Sequence, residues 1–215
     1  RRSSDLYSHT TETPAVRIAT KQNMDGAKEF VGTQTEAVTI DGVKYFSNKA
    51  TVKGLKENTK YYYQVFQNGK WQDAETYTTK SFDSFSFLYV GDPQIGASKN
   101  QTSTEQEKMV SAGNEVSSAA KDNLAARNDG YNWNNILNDA VKDHEDVSFI
   151  VSAGDQVNAG KNEREYAAYL GADALASLPV ATTIGNHDSV SNQYTLHFNN
   201  PNAFSDTDAN YIQGK

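Results

Sequence analysis

The first 80 or so residues alternate between short apolar runs and turn signals. The runs are rich in β-branched and aromatic residues, and they lie at 16–20, 37–40, 50–52, 61–66 and in a last run through Trp71 and Tyr77. Asn68-Gly69 separates the last two runs, and because both residues tolerate a positive φ the pair favours a tight hairpin turn. The pattern predicts about five strands of an antiparallel, all-β sandwich over residues 1–82.

From residue 85 the pattern changes to apolar strands that alternate with helical segments. Three strands are predicted, at 85–90, 147–151 and 180–184. Helices are predicted at 103–127, 132–143 and 163–177. Such alternation is typical of a parallel sheet with helical crossovers. We therefore expect two domains, an all-β domain at 1–82 and an α/β domain at 83–215.

Composition narrows the chemistry that these domains can carry. The chain has 215 residues, no cysteine and a net charge of −7. Without cysteine there is no disulfide, thiolate metal site or thiol nucleophile, so a metal must be bound through oxygen or imidazole nitrogen atoms. The acidic balance argues against sequence-independent nucleic-acid binding. No apolar run approaches the roughly 20 residues that span a bilayer, so we predict no membrane span.

A stretch at the start of the fourth run carries a more specific signal. Leu55, Thr59 and Tyr61 lead into an alternating strand, as in the tyrosine corner of sandwich domains, where the tyrosine hydroxyl binds upstream backbone. The stretch resembles fibronectin type III domains, with Glu57 where that family usually has proline. Such sandwiches have about seven strands, so we expect an incomplete sandwich whose first strands precede Arg1. The alternative is a chance tyrosine-rich hairpin.

Three short polar blocks follow the three predicted strands of the α/β domain. They are Gly91-Asp92-Pro93-Gln94, Gly154-Asp155 and Gly185-Asn186-His187-Asp188. In open α/β sheets, ligands bind outside the carboxyl ends of the strands, and glycine there permits a tight turn and close backbone approach. One such block is more typical of a turn or a helix cap, but three in succession indicate one polar site.

These blocks resemble the first three motifs of the calcineurin-like metallophosphoesterases, and the fibronectin-like domain makes the chain most similar to the purple acid phosphatase branch. The resemblance implies a four-layer α/β/β/α domain, of which 83–215 is the N-terminal half, with two metal ions (Fe, Mn or Zn) at the strand ends. Asp92 would bind the first metal, Asp155 would bridge both, and Asn186 would bind the second. The implied activity is hydrolysis of phosphate esters through a metal-bridging hydroxide, with His187 as hydrogen-bond donor or general acid.

Other positions in or near the blocks depart from the family or allow two roles. Asp188 either orients His187, as a second catalytic residue, or caps a helix. Gln94 stands where many family members have histidine, and it is either a weak metal ligand or a neighbour of one. Purple acid phosphatases place a tyrosine ligand three residues after the bridging aspartate. This chain has Asn158 there, so we expect no tyrosinate charge-transfer band.

Histidine is scarce for a site of this kind. The family completes its metal centre with a later histidine and a Gly-His-x-His block, and no Gly-His-x-His occurs in the sequence. His144 lies in a charged run and is predicted to be exposed, and His197 is predicted to be structural. We therefore expect the chain to continue beyond Lys215 to such a block, and the present residues alone to be inactive.

Two functions of different classes are compatible with the sequence. The first is a metal-dependent phosphoesterase, whose partner is a phosphate-ester substrate. The alternative is a non-catalytic surface protein with a degenerate phosphoesterase-like scaffold, which binds an unknown partner through its fibronectin-like module. That module and the lack of cysteine favour a secreted or cell-surface location. Monoesters and diesters are not distinguished, because specificity lies largely in loops.

Overall fold

The structure of the chain is a computed structural model that describes residues 7–98 and 124–200. The first part forms two antiparallel sheets, and the second forms a parallel sheet with helices. The strands are β1 (Tyr7–Ser8), β2 (Ala15–Ala19), β3 (Lys28–Val31), β4 (Thr33–Ile40), β5 (Val43–Lys49), β6 (Lys60–Gln67), β7 (Lys70–Trp71), β8 (Glu75–Thr78), β9 (Ser86–Val90), β10 (Val147–Ser152) and β11 (Val180–Thr182). The helices are α1 (Leu124–Asp143), α2 (Glu163–Leu170) and α3 (Gln193–His197), with 3₁₀ turns at Asp173–Ala176 and Asp188–Val190.

The two N-terminal sheets contain more strands than the sequence pattern predicts. One sheet has the order β1-β5-β4, and the other has the order β3-β2-β6, with β7 and β8 both paired to β6. The predicted shortage of strands is therefore wrong. The pattern missed β1, β3 and β5 because they are short or largely polar and half-exposed. The run at 50–52, predicted as a strand, lies outside the strands and follows β5.

The tyrosine corner is confirmed. The hydroxyl of Tyr61, a buried residue, accepts a hydrogen bond from the backbone N–H of Lys56 at 2.8 Å. The Asn68-Gly69 hairpin is confirmed as well, because both residues have positive φ, at 53° and 74°, between the paired strands β6 and β7. The carboxylate of Glu57, at the usual proline position, accepts the backbone N–H of Phe82 at 3.1 Å.

The parallel sheet has β10 in its centre, with β9 on one side and β11 on the other. One face packs against α1 and α2, where Leu88 and Ile150 join the hydrophobic core. The opposite face carries aromatic side chains in contact with solvent: Phe87 is 48% exposed and Tyr89 is 70% exposed. The described part of this domain therefore has one sheet with a layer of helices on one face. The strands of this sheet precede the three blocks and position them.

Helix α1 continues through Asn128-Asp129-Gly130, where the sequence predicts a gap between two helices. That prediction is wrong because the glycine serves packing: a Cβ atom at Gly130 would lie 2.9 Å from the Cβ of Ala168 on α2. Because Gly130 has no side chain, α1 and α2 can approach closely at this point. The predicted start of the first helix, at 103, lies outside the described residues. The predicted helix 163–177 is instead α2 followed by the 3₁₀ turn Asp173–Ala176.

The sandwich contacts the α/β domain through β5 and the end of α3. Ser47 Oγ donates to the carbonyl oxygen of Leu196 at 2.5 Å, and Lys49 Nζ donates to that of Phe198 at 2.9 Å. These bonds satisfy backbone carbonyl groups at the end of α3 that the helix itself leaves unpaired. They fix α3 against the sandwich. No helix in the described ranges is long and apolar enough to cross a membrane.

Candidate metal centre

The three polar blocks meet at the carboxyl ends of β9, β10 and β11. The backbone N–H of Gln94 donates to the carbonyl oxygen of Asp155 at 2.9 Å, and that of Asp92 donates to Gly154 at 3.3 Å. The backbone N–H of His187 donates to Asp155 Oδ1, also at 2.9 Å. Because the second block binds both of the others, the three loops form one continuous surface, as the parallel sheet predicts.

Two glycines allow the second and third blocks to touch. A Cβ atom at Gly154 would lie 2.9 Å from the Cα of Gly185, and one at Gly185 would collide with the carboxylate of Asp155. The close approach that the sequence assigns to these glycines is therefore present. Of the two, only Gly154 has a left-handed backbone, with φ of 103°, so Gly185 is needed for space rather than for a turn.

Within the three blocks, the non-glycine residues with uncommon backbone conformations are polar ones. Asp92, Gln94 and Asp155 have φ values of 56°, 41° and 49°. This left-handed region is uncommon for residues other than glycine, and it persists where surrounding contacts impose it. Here those contacts are the backbone hydrogen bonds between the loops. Such strain is concentrated at functional sites, which fits a site that must present these side chains together.

The side chains of the blocks suit a hard or borderline cation. Asp92 and Asn186 are exposed, and Asp155 and Gln94 are half-buried, so all four are accessible at the strand ends. They offer two carboxylates and two amide oxygens, which are the donors that Mn²⁺ and similar ions prefer. Within residues 7–98 and 124–200, no three His, Asp or Glu side chains converge as a metal-binding group. A metal held by these residues therefore depends on the amide oxygens or on further ligands.

Asp188 is buried beneath the site. Its carboxylate accepts the backbone N–H of Gly185 at 2.9 Å and that of Gln156 at 3.1 Å. Burial raises the pKa of Asp188, and hydrogen bonds from the backbone of Gly185, Gln156 and Val157 oppose that rise. The described contacts join Asp188 to backbone and not to the His187 ring. They hold the second and third blocks together, which is distinct from orienting His187 and from capping a helix, since the 3₁₀ turn at Asp188–Val190 has no side-chain cap.

The imidazole of His187 is instead held by a backbone carbonyl group. Its Nδ1 lies 2.6 Å from the carbonyl oxygen of Asn158. A carbonyl oxygen only accepts hydrogen bonds, so Nδ1 carries the proton in this contact. The residue at the position of the family's tyrosine thus contributes its main chain to the site. The sequence does not reveal this contact, because a backbone carbonyl has no residue signature.

Two further carboxylates, not predicted as site residues, hold the loops from below. Asp129 Oδ2 on α1 accepts the backbone N–H of Gly96 at 2.8 Å, in the loop that follows Gln94. Glu165 Oε2 on α2 accepts the backbone N–H of Ala159 at 2.6 Å. A signal for Glu165 does exist in the sequence. Asn162 caps α2 and stands three residues before Glu165, which is the spacing of a capping box.

The remaining histidines lie away from the blocks. His144 is exposed, as predicted. His197 has the structural surroundings that were expected of it: its Nε2 lies 2.8 Å from Glu163 Oε2 and 3.1 Å from the Tyr7 hydroxyl, and its ring stacks on Tyr166 at 4.3 Å between centroids. His197 therefore joins β1 of the sandwich to α2 and α3.

A likeness to one solved structure supports the fold. The structure of purple acid phosphatase PPD1 isolated from yellow lupin (Lupinus luteus) seeds is similar to this chain, with a TM-score of 0.52 and 15% sequence identity. The similarity covers 81% of this chain and 30% of that chain. At this identity the likeness concerns the fold alone, and this chain spans less than a third of the lupin protein. No curated protein matches this chain.

Two family models match adjoining parts of the chain. The model of the purple acid phosphatase N-terminal domain matches residues 6–79. The model of the calcineurin-like phosphoesterases matches residues 85–214, which is more than half of the chain. The fold is therefore a sheet-rich, fibronectin-like N-terminal domain followed by a metallophosphoesterase α/β domain, and the resemblance seen in the sequence is confirmed. The chain belongs to the calcineurin-like phosphoesterase family.

Proposed function

We propose that this protein hydrolyses phosphate esters at a site with two metal ions, to which the three blocks contribute the oxygen ligands. One observation supports the proposal above all. Asp155 binds the backbone of both other blocks, through its carbonyl oxygen to Gln94 and through its carboxylate to His187. A residue at the centre of three loops is suitably placed for a carboxylate that bridges two cations.

Within this proposal each side chain has a distinct task. Asp92 would hold one metal and Asn186 the other, Asp155 would be a ligand that they share, and Gln94 would add an amide oxygen to the first. When bound, the metal pair supplies Lewis-acid activation of water and neutralises charge on the transferred phosphoryl group. His187 donates a proton or hydrogen bond to the leaving oxygen, a contribution of about 10²–10⁴ in rate.

Hydrolysis of p-nitrophenyl phosphate by the full natural protein, with added Mn²⁺ or Zn²⁺, tests the proposal. Asp155→Ala removes the central carboxylate and should abolish metal-dependent turnover. The matched control is Asp139→Ala, which removes an exposed aspartate on α1 and should leave turnover unchanged. Full activity of Asp155→Ala would refute the assignment.

The non-catalytic alternative makes the opposite prediction in the same experiment. A surface protein with a degenerate site would show no metal-dependent turnover even as wild type. The retention of Asp92, Asp155 and Asn186 together at the strand ends supports catalysis.

We further propose a phosphate-ester substrate and a secreted or cell-surface location. The location is supported by the fibronectin-like domain and the lack of cysteine.

A further inference from the structure

Glu165 is a buried carboxylate whose two oxygens are both engaged. Only 4% of the residue is exposed. Oε2 accepts the backbone N–H of Ala159 at 2.6 Å, and Oε1 accepts the side-chain amide of Asn162 at 2.9 Å. A buried carboxylate with charge-assisted hydrogen bonds on both oxygens is held in one orientation. It fixes the loop that contains Ala159 to α2.

One peptide group connects this carboxylate to the ring of His187. The peptide between Asn158 and Ala159 donates its N–H to Glu165 Oε2, and its oxygen lies 2.6 Å from His187 Nδ1. Both distances are slightly shorter than the usual range of about 2.7–3.2 Å for N–H···O hydrogen bonds. Hydrogen bonds in a chain polarise one another. The carboxylate therefore strengthens the carbonyl oxygen as an acceptor for the Nδ1 proton.

The surrounding packing leaves this peptide little freedom. A Cβ atom at Gly160 would lie 2.5 Å from the carbonyl oxygen of His187, so the loop and the third block are in direct contact. On the other side, a Cβ atom at Gly96 would collide with the Glu165 carboxylate. Glu165 is thus packed between the loop of the first block and the loop that supports His187. A change in the shape or charge of the Glu165 side chain should therefore alter the position of the His187 ring, because only the Asn158–Ala159 peptide group lies between them.

We propose that Glu165 is a positioning residue for His187. Through the Asn158–Ala159 peptide it holds the imidazole with its proton on Nδ1, so that Nε2 is the nitrogen that takes up a second proton from water and passes it to the leaving oxygen. The catalytic part of this inference rests on the proposed function. The structural part, a single ring tautomer imposed by Glu165, does not depend on phosphoester hydrolysis.

The ¹⁵N chemical shifts of the His187 ring test the structural part directly. They are measured in the full natural protein with ¹⁵N-labelled histidine and no added metal, and they are assigned by the signal lost in His187→Gln. Wild type should show the Nδ1-protonated tautomer. Glu165→Ala should populate both tautomers, and Glu165→Gln, which keeps the shape of the side chain, should show a smaller change in the same direction.

Kinetics with p-nitrophenyl phosphate and added metal test the catalytic part. Misplacement of the imidazole should lower kcat of the Glu165 variants about 10-fold to 100-fold, with little change in KM. Glu163→Gln is the matched control, since Glu163 lies on the same helix and also binds a histidine, but that histidine is His197. This control should leave the His187 shifts and kcat unchanged.

Three results separate the possibilities. An unchanged His187 tautomer in folded Glu165→Gln and Glu165→Ala overturns the proposal. An equal loss of kcat in Glu163→Gln and Glu165→Gln also overturns it, because the effect would then be a general loss of stability. If wild type shows no turnover, the proposed function fails, and the tautomer shifts still decide whether Glu165 positions His187.

Discussion

Gly185 is packed so closely against Asp155 that a methyl group on the glycine would collide with the aspartate carboxylate. The same carboxylate accepts the backbone N–H of His187 at 2.9 Å. One side chain thus faces the proposed metal site and supports the block that carries the proposed proton donor. The arrangement depends on a missing side chain at Gly185, which explains why glycine begins the third block although no left-handed turn is needed there.

Gly185→Ala should therefore displace Asp155 and weaken metal binding. Overpacking of this kind lowers the free energy of unfolding by about 1–3 kcal/mol, and misplaced ligands lower metal affinity by about 10-fold to 100-fold. Urea denaturation and calorimetric titration of Mn²⁺ measure the two effects. Gly91→Ala is the control, because its Cβ atom would lie 3.4 Å from that of Ala153, an ordinary contact. Equal losses in both variants would contradict this account.

Tyr61→Phe tests the tyrosine corner. The change removes the hydroxyl that accepts the backbone N–H of Lys56 at 2.8 Å, so the free energy of unfolding should fall by about 0.5–1.5 kcal/mol. Tyr62→Phe is the control on the same strand, since that hydroxyl has no hydrogen bond in the part of the chain described. Urea midpoints for the two variants give the comparison. A stable Tyr61→Phe protein would mean that the ring alone stabilises the corner.

Local signals explain which parts of the fold the sequence predicts. The strand β6 and its Asn68-Gly69 turn are evident because alternation and turn chemistry agree there. The strand β5 has a mostly polar sequence, and its pairing with β4 depends on Asp41-Gly42, where both residues have positive φ. The sequence shows the Asp41-Gly42 turn, but β5 has too few apolar residues for the pattern to predict a strand there. At Gly130 the sequence predicts a break between two helices that the structure does not have. The close packing of α1 against α2 at this residue outweighs the low helix propensity of glycine.

In the candidate site, too, some features can be predicted from the sequence and others cannot. Side chains at strand ends are predictable, because a parallel sheet brings the ends of its strands to one edge. Contacts made by the main chain are not predictable, since any residue can supply the carbonyl that Asn158 offers to His187. Supporting carboxylates such as Glu165 depend on how α2 packs beneath the loops. That packing is set by residues far apart in the sequence.

His197→Ala should weaken the contact between the two domains. The imidazole binds Glu163 at 2.8 Å and the Tyr7 hydroxyl at 3.1 Å, and its loss leaves buried polar atoms without partners. We expect the free energy of unfolding to fall by about 1–3 kcal/mol, measured by urea denaturation. His144→Ala removes an exposed histidine and should change stability by no more than about 0.5 kcal/mol. Similar effects in both variants would show that His197 does not join the domains.

Glu165 gives the protein a pH dependence of stability whose sign is fixed by burial. Desolvation raises the pKa of Glu165 above its ordinary value of 4.5, although hydrogen bonds from Ala159 and Asn162 oppose the rise. As pH increases through 4.5, the unfolded chain releases this proton first and the folded state retains it. Stability contributed by Glu165 therefore falls with rising pH until the folded carboxyl also ionises, and it is constant above that point.

The difference in unfolding free energy between wild type and Glu165→Gln isolates this effect, because the variant lacks the titrating group and other groups cancel. Urea denaturation at a series of pH values from about 3 to about 8 gives both free energies. The difference, wild type minus variant, should be largest at the acid end. It should decline by at most ~1.4 kcal/mol per pH unit before it levels off. A difference that grows with pH would mean that the fold prefers the ionised carboxylate, and that the hydrogen bonds from Ala159 and Asn162 outweigh desolvation.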